Sequence, residues 1–152
     1  MHAQPPHDTR DTPSGPSDPD TTGDPPRNLA LRVVMMPRDT NPYGTIFGGV
    51  ILSHIDQAGF VEALRHGCHR WVTASIERVD FKAPVHLGDV VNYYATTTRI
   101  GTTSVTVKVE VDAERSDTRA SERVTEATIT LVAVSPEGTP IDFRSAPTIT
   151  TR

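Results

Sequence analysis

A chain of 152 residues with a single cysteine, Cys68, can form no intrachain disulfide and can supply neither a paired-cysteine metal knuckle nor a redox pair. Its 15 basic and 19 acidic residues, spread along the sequence, give a net charge of −4, which argues against nucleic acid or an anionic membrane as partner. No apolar run approaches the roughly 20 residues of a membrane-crossing helix, and the start lacks the basic and apolar stretches of a secretion signal, so a cytoplasmic protein is expected.

Residues 1–26 hold seven of the thirteen prolines, five aspartates and one arginine. Such a segment cannot bury enough apolar surface to offset the entropy of ordering it, and a disordered tail over 1–27 is expected. The folded domain should span 28–143, with 144–152 a frayed C-terminal tail after the prolines at 136, 140 and 147. It opens on a β-compatible run, Leu29–Met36, stopped by Pro37. The next twelve residues, PRDTNPYGTIFG, carry two prolines and two glycines and read as a working loop. From Gly49 to about His66 the apolar spacing becomes helical, with Ile51, Ile55, Ala58 and Glu62 on one stripe and Leu52, Gly59 and Ala63 beside it. A helix apolar around most of its girth is a buried one. Four segments rich in Val, Thr, Ile and aromatics follow, Trp71–Phe81, Val90–Arg99, Ser104–Ala113 and Arg123–Val134, separated by Pro84–Asp89, Ile100–Thr102 and Ser116–Ser121. Strand, loop, helix and four closely connected strands make an α+β domain, one central helix wrapped by a long curved antiparallel sheet. A single such layer leaves a sheet edge to cover, which a symmetric dimer would do.

The most pointed local signal is Asn41–Gly49 running directly into the buried helix, with Asp56 about two turns in. Paired glycines at 48 and 49 permit close approach of a ligand, and the helix N-terminus offers unbonded N–H groups of partial positive charge, as a thioester oxyanion requires. Asp56, flanked by Leu52, Ile55, Gly59 and Phe60, must be paired or used. It could take a proton from a water attacking the thioester carbonyl or attack that carbonyl itself. Asn41 is a candidate second polar group. His54, His66 and His69 suggest no metal, since residues two apart on a helix do not share a face, and Arg65 and His66 suit a helix C-terminus. No GxSxG elbow, GxGxxG or GxxxxGK[ST] occurs, and no motif surrounds Cys68.

Several blocks in one order resemble the acyl-CoA thioester hydrolases of the hotdog superfamily, in their cytosolic broad-specificity branch. They are Met36–Asn41, Gly44–Gly49, Ile55–Gly59, Val72–Phe81, Pro84–Asp89, Gly101–Ser104 and Ala133–Gly138. The resemblance implies a hotdog fold and a site at a dimer interface, with Asp56 as catalytic carboxylate, Asn41 positioning water or carbonyl, and the backbone N–H near Gly49 polarising the thioester. It further implies acyl-CoA as substrate, no metal or dissociable cofactor, and homo-oligomers, either dimers or trimers of dimers. Gly48, Thr73 and Ser75 would line the thioester end, and Arg78, Lys82 and Arg99 would be candidates for the coenzyme A phosphates. Within the same fold, an enoyl-CoA hydratase loop of D-x-N-P-x-H type matches Asp39–Tyr43 but has Gly44 in place of its histidine. A non-catalytic acyl-CoA sensor would need a DNA-binding module that residues 1–26 cannot form.

Overall fold

The computed structural model describes residues 26–149, so the expectation for the Pro- and Asp-rich segment before them falls outside the described residues. The elements are β1 (Asn28–Val34), α1 (Gly48–Ala63), β2 (Arg70–Phe81), β3 (Val90–Ile100), β4 (Ser104–Glu114) and β5 (Ser121–Val134), with 3-10 turns at Pro37–Asp39 and Leu64–His66. They form the expected α+β hotdog: a five-stranded antiparallel sheet in the order β1-β3-β4-β5-β2, with α1 on its inner face.

Boundaries differ where a local bond wins over the pattern. The first strand ends at Val34, and Met35 beyond it is bonded to the turn before β3, its N–H to the Asp89 carbonyl and its carbonyl to the Gly88 N–H, both at 3.0 Å. The helix stops at Ala63, and the three residues expected to continue it tighten into a 3-10 turn. Part of the stretch read as a C-terminal tail is tied down: Ile149 N–H bonds the Cys68 carbonyl at 3.2 Å, and buried His69 contacts the Thr148 hydroxyl and the Phe143 carbonyl. At the other end Arg27 lies over the Tyr94 ring.

Strict alternation on β4 sends Val105, Val107, Val109, Val111 and Ala113 to the core and Lys108, Glu110, Asp112 and Glu114 outward. Outward-facing Arg123 of β5 ties Glu110, Asp112 and Glu126 together. Inward, Ile51, Ile55 and Ala58 of α1 meet Ile129 and Leu131 of β5. Gly59 makes this approach possible, since a Cβ there would stand 2.9 Å from Ile129 Cγ2.

One side of the domain is left uncovered. β2 pairs only with β5, and its Val72, Ile76 and Phe81 are exposed, as are Phe60, Val61 and Leu64 toward the end of the helix. The helix is therefore not buried around its whole girth, as its composition suggested.

Candidate active site

The loop before α1 is a miniature hairpin. Its rungs are Phe47 N–H to the Asp39 carbonyl (3.0 Å), a bridge between Thr40 and Ile46, and Asn41 N–H to the Thr45 carbonyl (2.7 Å). Gly44 turns its tip with φ +83°, a left-handed conformation that glycine adopts without strain. The Asn41 side chain closes that tip: its oxygen accepts the N–H groups of Tyr43 (2.9 Å) and Thr45 (3.2 Å), and its amide donates to the Thr45 hydroxyl (2.7 Å). The hairpin docks on the segment after β2 through Ile46 N–H and the Val85 carbonyl.

At its base Phe47 begins the helix without any side-chain cap. The first helical acceptor, the Phe47 carbonyl, takes the N–H groups of Val50 and Ile51, so those of Gly48 and Gly49 precede the hydrogen-bond ladder. No acidic residue occupies the first turn, and a Cβ at Gly49 would meet nothing within 4 Å. The two amides carry their share of the positive end of the helix dipole, and the space beside Gly49 is open. Gly48 lies against the Phe81 ring in an apolar cleft of about 380 Å³, also lined by Ile46, Ile51, Pro84 and Val85.

Asp56 is half-buried on the uncovered side of α1, where the Thr73 hydroxyl of β2 donates a short hydrogen bond to its Oδ1. Seven residues separate Asp56 from Gly49, about 10 Å along the axis at 1.5 Å per residue.

Of the other expected site residues, Ser75 turns away to Glu77, 3.3 Å from its Oε1. Arg78 occupies a bulge of β2 with φ +49° and lines an outer-face cleft with Lys108, Asp80 and Glu126. Lys82 is paired with Glu126 at 2.9 Å. Arg99 lies on β3, three strands from β2, or about 14 Å. The three cations are therefore not gathered into one site within the chain. Among the described residues no group of three His, Cys, Asp or Glu is arranged to hold a metal.

Sequence reasoning did not single out Glu62 as a buried charge. It is 5% exposed, accepting from Thr97 (3.0 Å) and Asn28 (3.2 Å), and Thr97 in turn contacts His66 Nε2 at 2.8 Å. The signal was available in its place on the stripe of Ile51, Ile55 and Ala58; its partners, distant in sequence, were not.

A family model described as the thioesterase superfamily matches residues 43–120. Over 122 residues, 76% of this chain and 90% of the other, the sequence is 42% identical to the acyl-CoA thioester hydrolase YciA of Escherichia coli strain K12. Among solved structures, a hexameric hotdog fold thioesterase of Campylobacter jejuni superposes with a TM-score of 0.72 at 42% identity, covering 76% of this chain and 89% of that one. An acyl-CoA hydrolase of Staphylococcus aureus, solved with butyryl coenzyme A and coenzyme A, does so at 0.68 and 30%, covering 79% and 71%; that enzyme is also solved as asparagine-to-alanine and threonine-to-alanine variants. One central helix against a five-stranded antiparallel sheet is the architecture shared with these hotdog-fold enzymes. The chain belongs to the thioesterase superfamily, among its hotdog-fold acyl-CoA thioester hydrolases.

Proposed function

We propose that the protein hydrolyses acyl-CoA to a carboxylic acid and coenzyme A at sites shared between two copies of the chain. The observation that carries this reading is Asp56, a carboxylate held by Thr73 on the uncovered side of α1 and about 10 Å along the axis from its own helix amides. Two copies related by a twofold axis and joined at the free edge of β2 set the helices antiparallel, so that Asp56 of one copy faces the Gly48–Gly49 amides of the other.

There Asp56 accepts a proton from water as the water oxygen bonds to the thioester carbon. The amides hold the oxyanion of the tetrahedral intermediate; its collapse breaks the C–S bond, and Asp56 returns its proton to the departing thiolate, releasing coenzyme A. Asn41 serves by fixing the hairpin that aims those amides, and the apolar cleft beside Phe81 shelters the reacting end of the substrate. Asparagine and threonine, the residue types altered in the Staphylococcus aureus variants, recur here as Asn41 and Thr73. Arg78, left-handed and next to Lys108, is the best placed of the three expected cations for a coenzyme A phosphate. Hydratase chemistry has no base at the hairpin, where Gly44 stands.

The test is thiol release across acyl-CoA chain lengths. Saturable turnover on at least one length is expected, and its absence on every length would overturn the reading.

A further inference from the structure

The segment between β2 and β3, Pro84–Asp89, is held by a buried ion pair that the hydrolytic reading leaves unused. Asp89 is 2% exposed, and its carboxylate is shared by three donors. Its Oδ2 accepts the His86 N–H at 2.9 Å and an Nη1 hydrogen of Arg115 at 2.6 Å, and its Oδ1 accepts the Ser116 N–H at 3.4 Å. Arg115, in the turn between β4 and β5, gives the same nitrogen to the Pro84 carbonyl at 3.0 Å and its Nη2 to Glu122. One guanidinium therefore fastens both ends of the segment, Pro84 by its backbone and Asp89 by its side chain.

From there backbone bonds lead to the start of α1. The Val85 carbonyl accepts the Ile46 N–H at 2.9 Å, and His86 forms a bridge with Thr45. Thr45 and Ile46 belong to the Asn41 hairpin, and the next residue, Phe47, opens the helix. Pro84 and Val85 also line the cleft beside Gly48. A local bond, Asp89 N–H to the His86 carbonyl at 3.2 Å, closes the turn on itself, whereas the bonds of Asp89 and Arg115 tie it to the β4–β5 turn. Removing either charge would leave the other buried without its partner and release one end of the platform under the hairpin.

We infer that Asp89 and Arg115 are positioning residues for thioester hydrolysis: their ion pair fixes the segment on which the Asn41 hairpin rests, and so sets the direction of the Gly48 and Gly49 amides. The inference rests on reading those amides as the oxyanion donors. Neither residue touches the substrate. Such donors act only within about 2.7–3.1 Å of the oxyanion, and a misplacement of about 1 Å can cost about 10²-fold. The oxyanion exists only after water has attacked, so the loss falls on kcat rather than KM.

The experiment pairs steady-state thiol release with the amide spectrum of glycine-labelled protein, the Gly49 signal being the one missing in Gly49→Ala. Asp89→Asn puts an amide where an oxygen accepts, and Arg115→Met keeps the length of the side chain without its cation. Each should lower kcat about 100-fold with KM within about threefold of wild type, and shift the Gly49 signal. Arg115→Lys keeps the charge but not the fork, and should lose only about tenfold. Glu62→Gln, which weakens the fold elsewhere, should leave kcat and the Gly49 signal as in wild type. Should Asp89→Asn and Arg115→Met fail to fold, Arg115→Lys decides. Folded variants with wild-type kcat, a loss carried by KM alone, or an unmoved Gly49 signal would overturn the inference, as would a Glu62→Gln enzyme that loses kcat equally. A wild-type protein that releases no thiol would instead overturn the functional reading, while the Gly49 signal still decides whether the ion pair sets the amides.

Discussion

Asp56 and Glu62 lie six residues apart on α1, and the strands opposite them decide what each can do. Asp56 looks out over the open side with Thr73 as its hydrogen-bond donor, whereas Glu62 is sealed between β1 and β3 by Asn28 and Thr97. Asp56→Asn should reduce thiol release about 10²–10⁴-fold while leaving the melting temperature close to wild type. Thr73→Val removes a hydrogen bond to a charged group, worth roughly 1.5–3 kcal/mol, and should slow turnover about 10- to 100-fold by the same assay. Glu62→Gln keeps the shape but offers one accepting oxygen where two are used, so denaturant titration should show a loss of about 1–3 kcal/mol with turnover of the folded enzyme intact. Asp56 was legible in the sequence because a carboxylate on an apolar helix stands out. That Thr73 would be its donor, and that Ser75 would face elsewhere, depends on a register shift between Thr73 and Ser75, which no side-chain spacing reveals.

The hairpin before α1 and the helix itself show how far local chemistry reaches. Prolines and glycines announced an irregular segment, but its inner ladder and the role of Asn41 in closing it follow from bonds between Asp39, Asn41, Thr45 and Phe47 that fit several loop shapes equally well. Apolar spacing located the helix; which glycine faces the sheet had to come from the packing. Gly59→Ala would force a methyl group into Ile129 and should cost about 1–3 kcal/mol in denaturant titration, as overpacked cores do. Gly49→Ala meets open space and should leave stability within about 1 kcal/mol of wild type, which the same titration checks. Arg78 was expected only as a cation, yet its left-handed backbone arises from the bulge between Glu77 and Asp80, a property of strand pairing rather than of the residue.

At the scale of the molecule, the bare β2 edge and the exposed apolar residues Val72, Ile76 and Phe81 call for a second copy. Light scattering should therefore give at least a dimer at micromolar concentration. A sharper outcome follows from mixing two inactive variants, Asp56→Asn and Asn41→Ala, by joint refolding. If each site takes Asp56 from one chain and its hairpin from the other, every mixed dimer keeps one intact site, and about a quarter of wild-type thiol release should return at equal mixing. Sites contained within single chains would restore nothing. The strand order carries a different consequence, for how the chain is made. β3, β4 and β5 are consecutive and pair with their neighbours, so this meander can form as soon as it is synthesised. β1 and β2 are made earlier but attach to its two outer strands, β3 and β5, so the N-terminal half of the domain emerges from the ribosome with no template to pair with. Until β5 is complete, the apolar face of α1 and the edge of β2 stay exposed together, and this interval is when the nascent chain is most open to aggregation and to capture by chaperones.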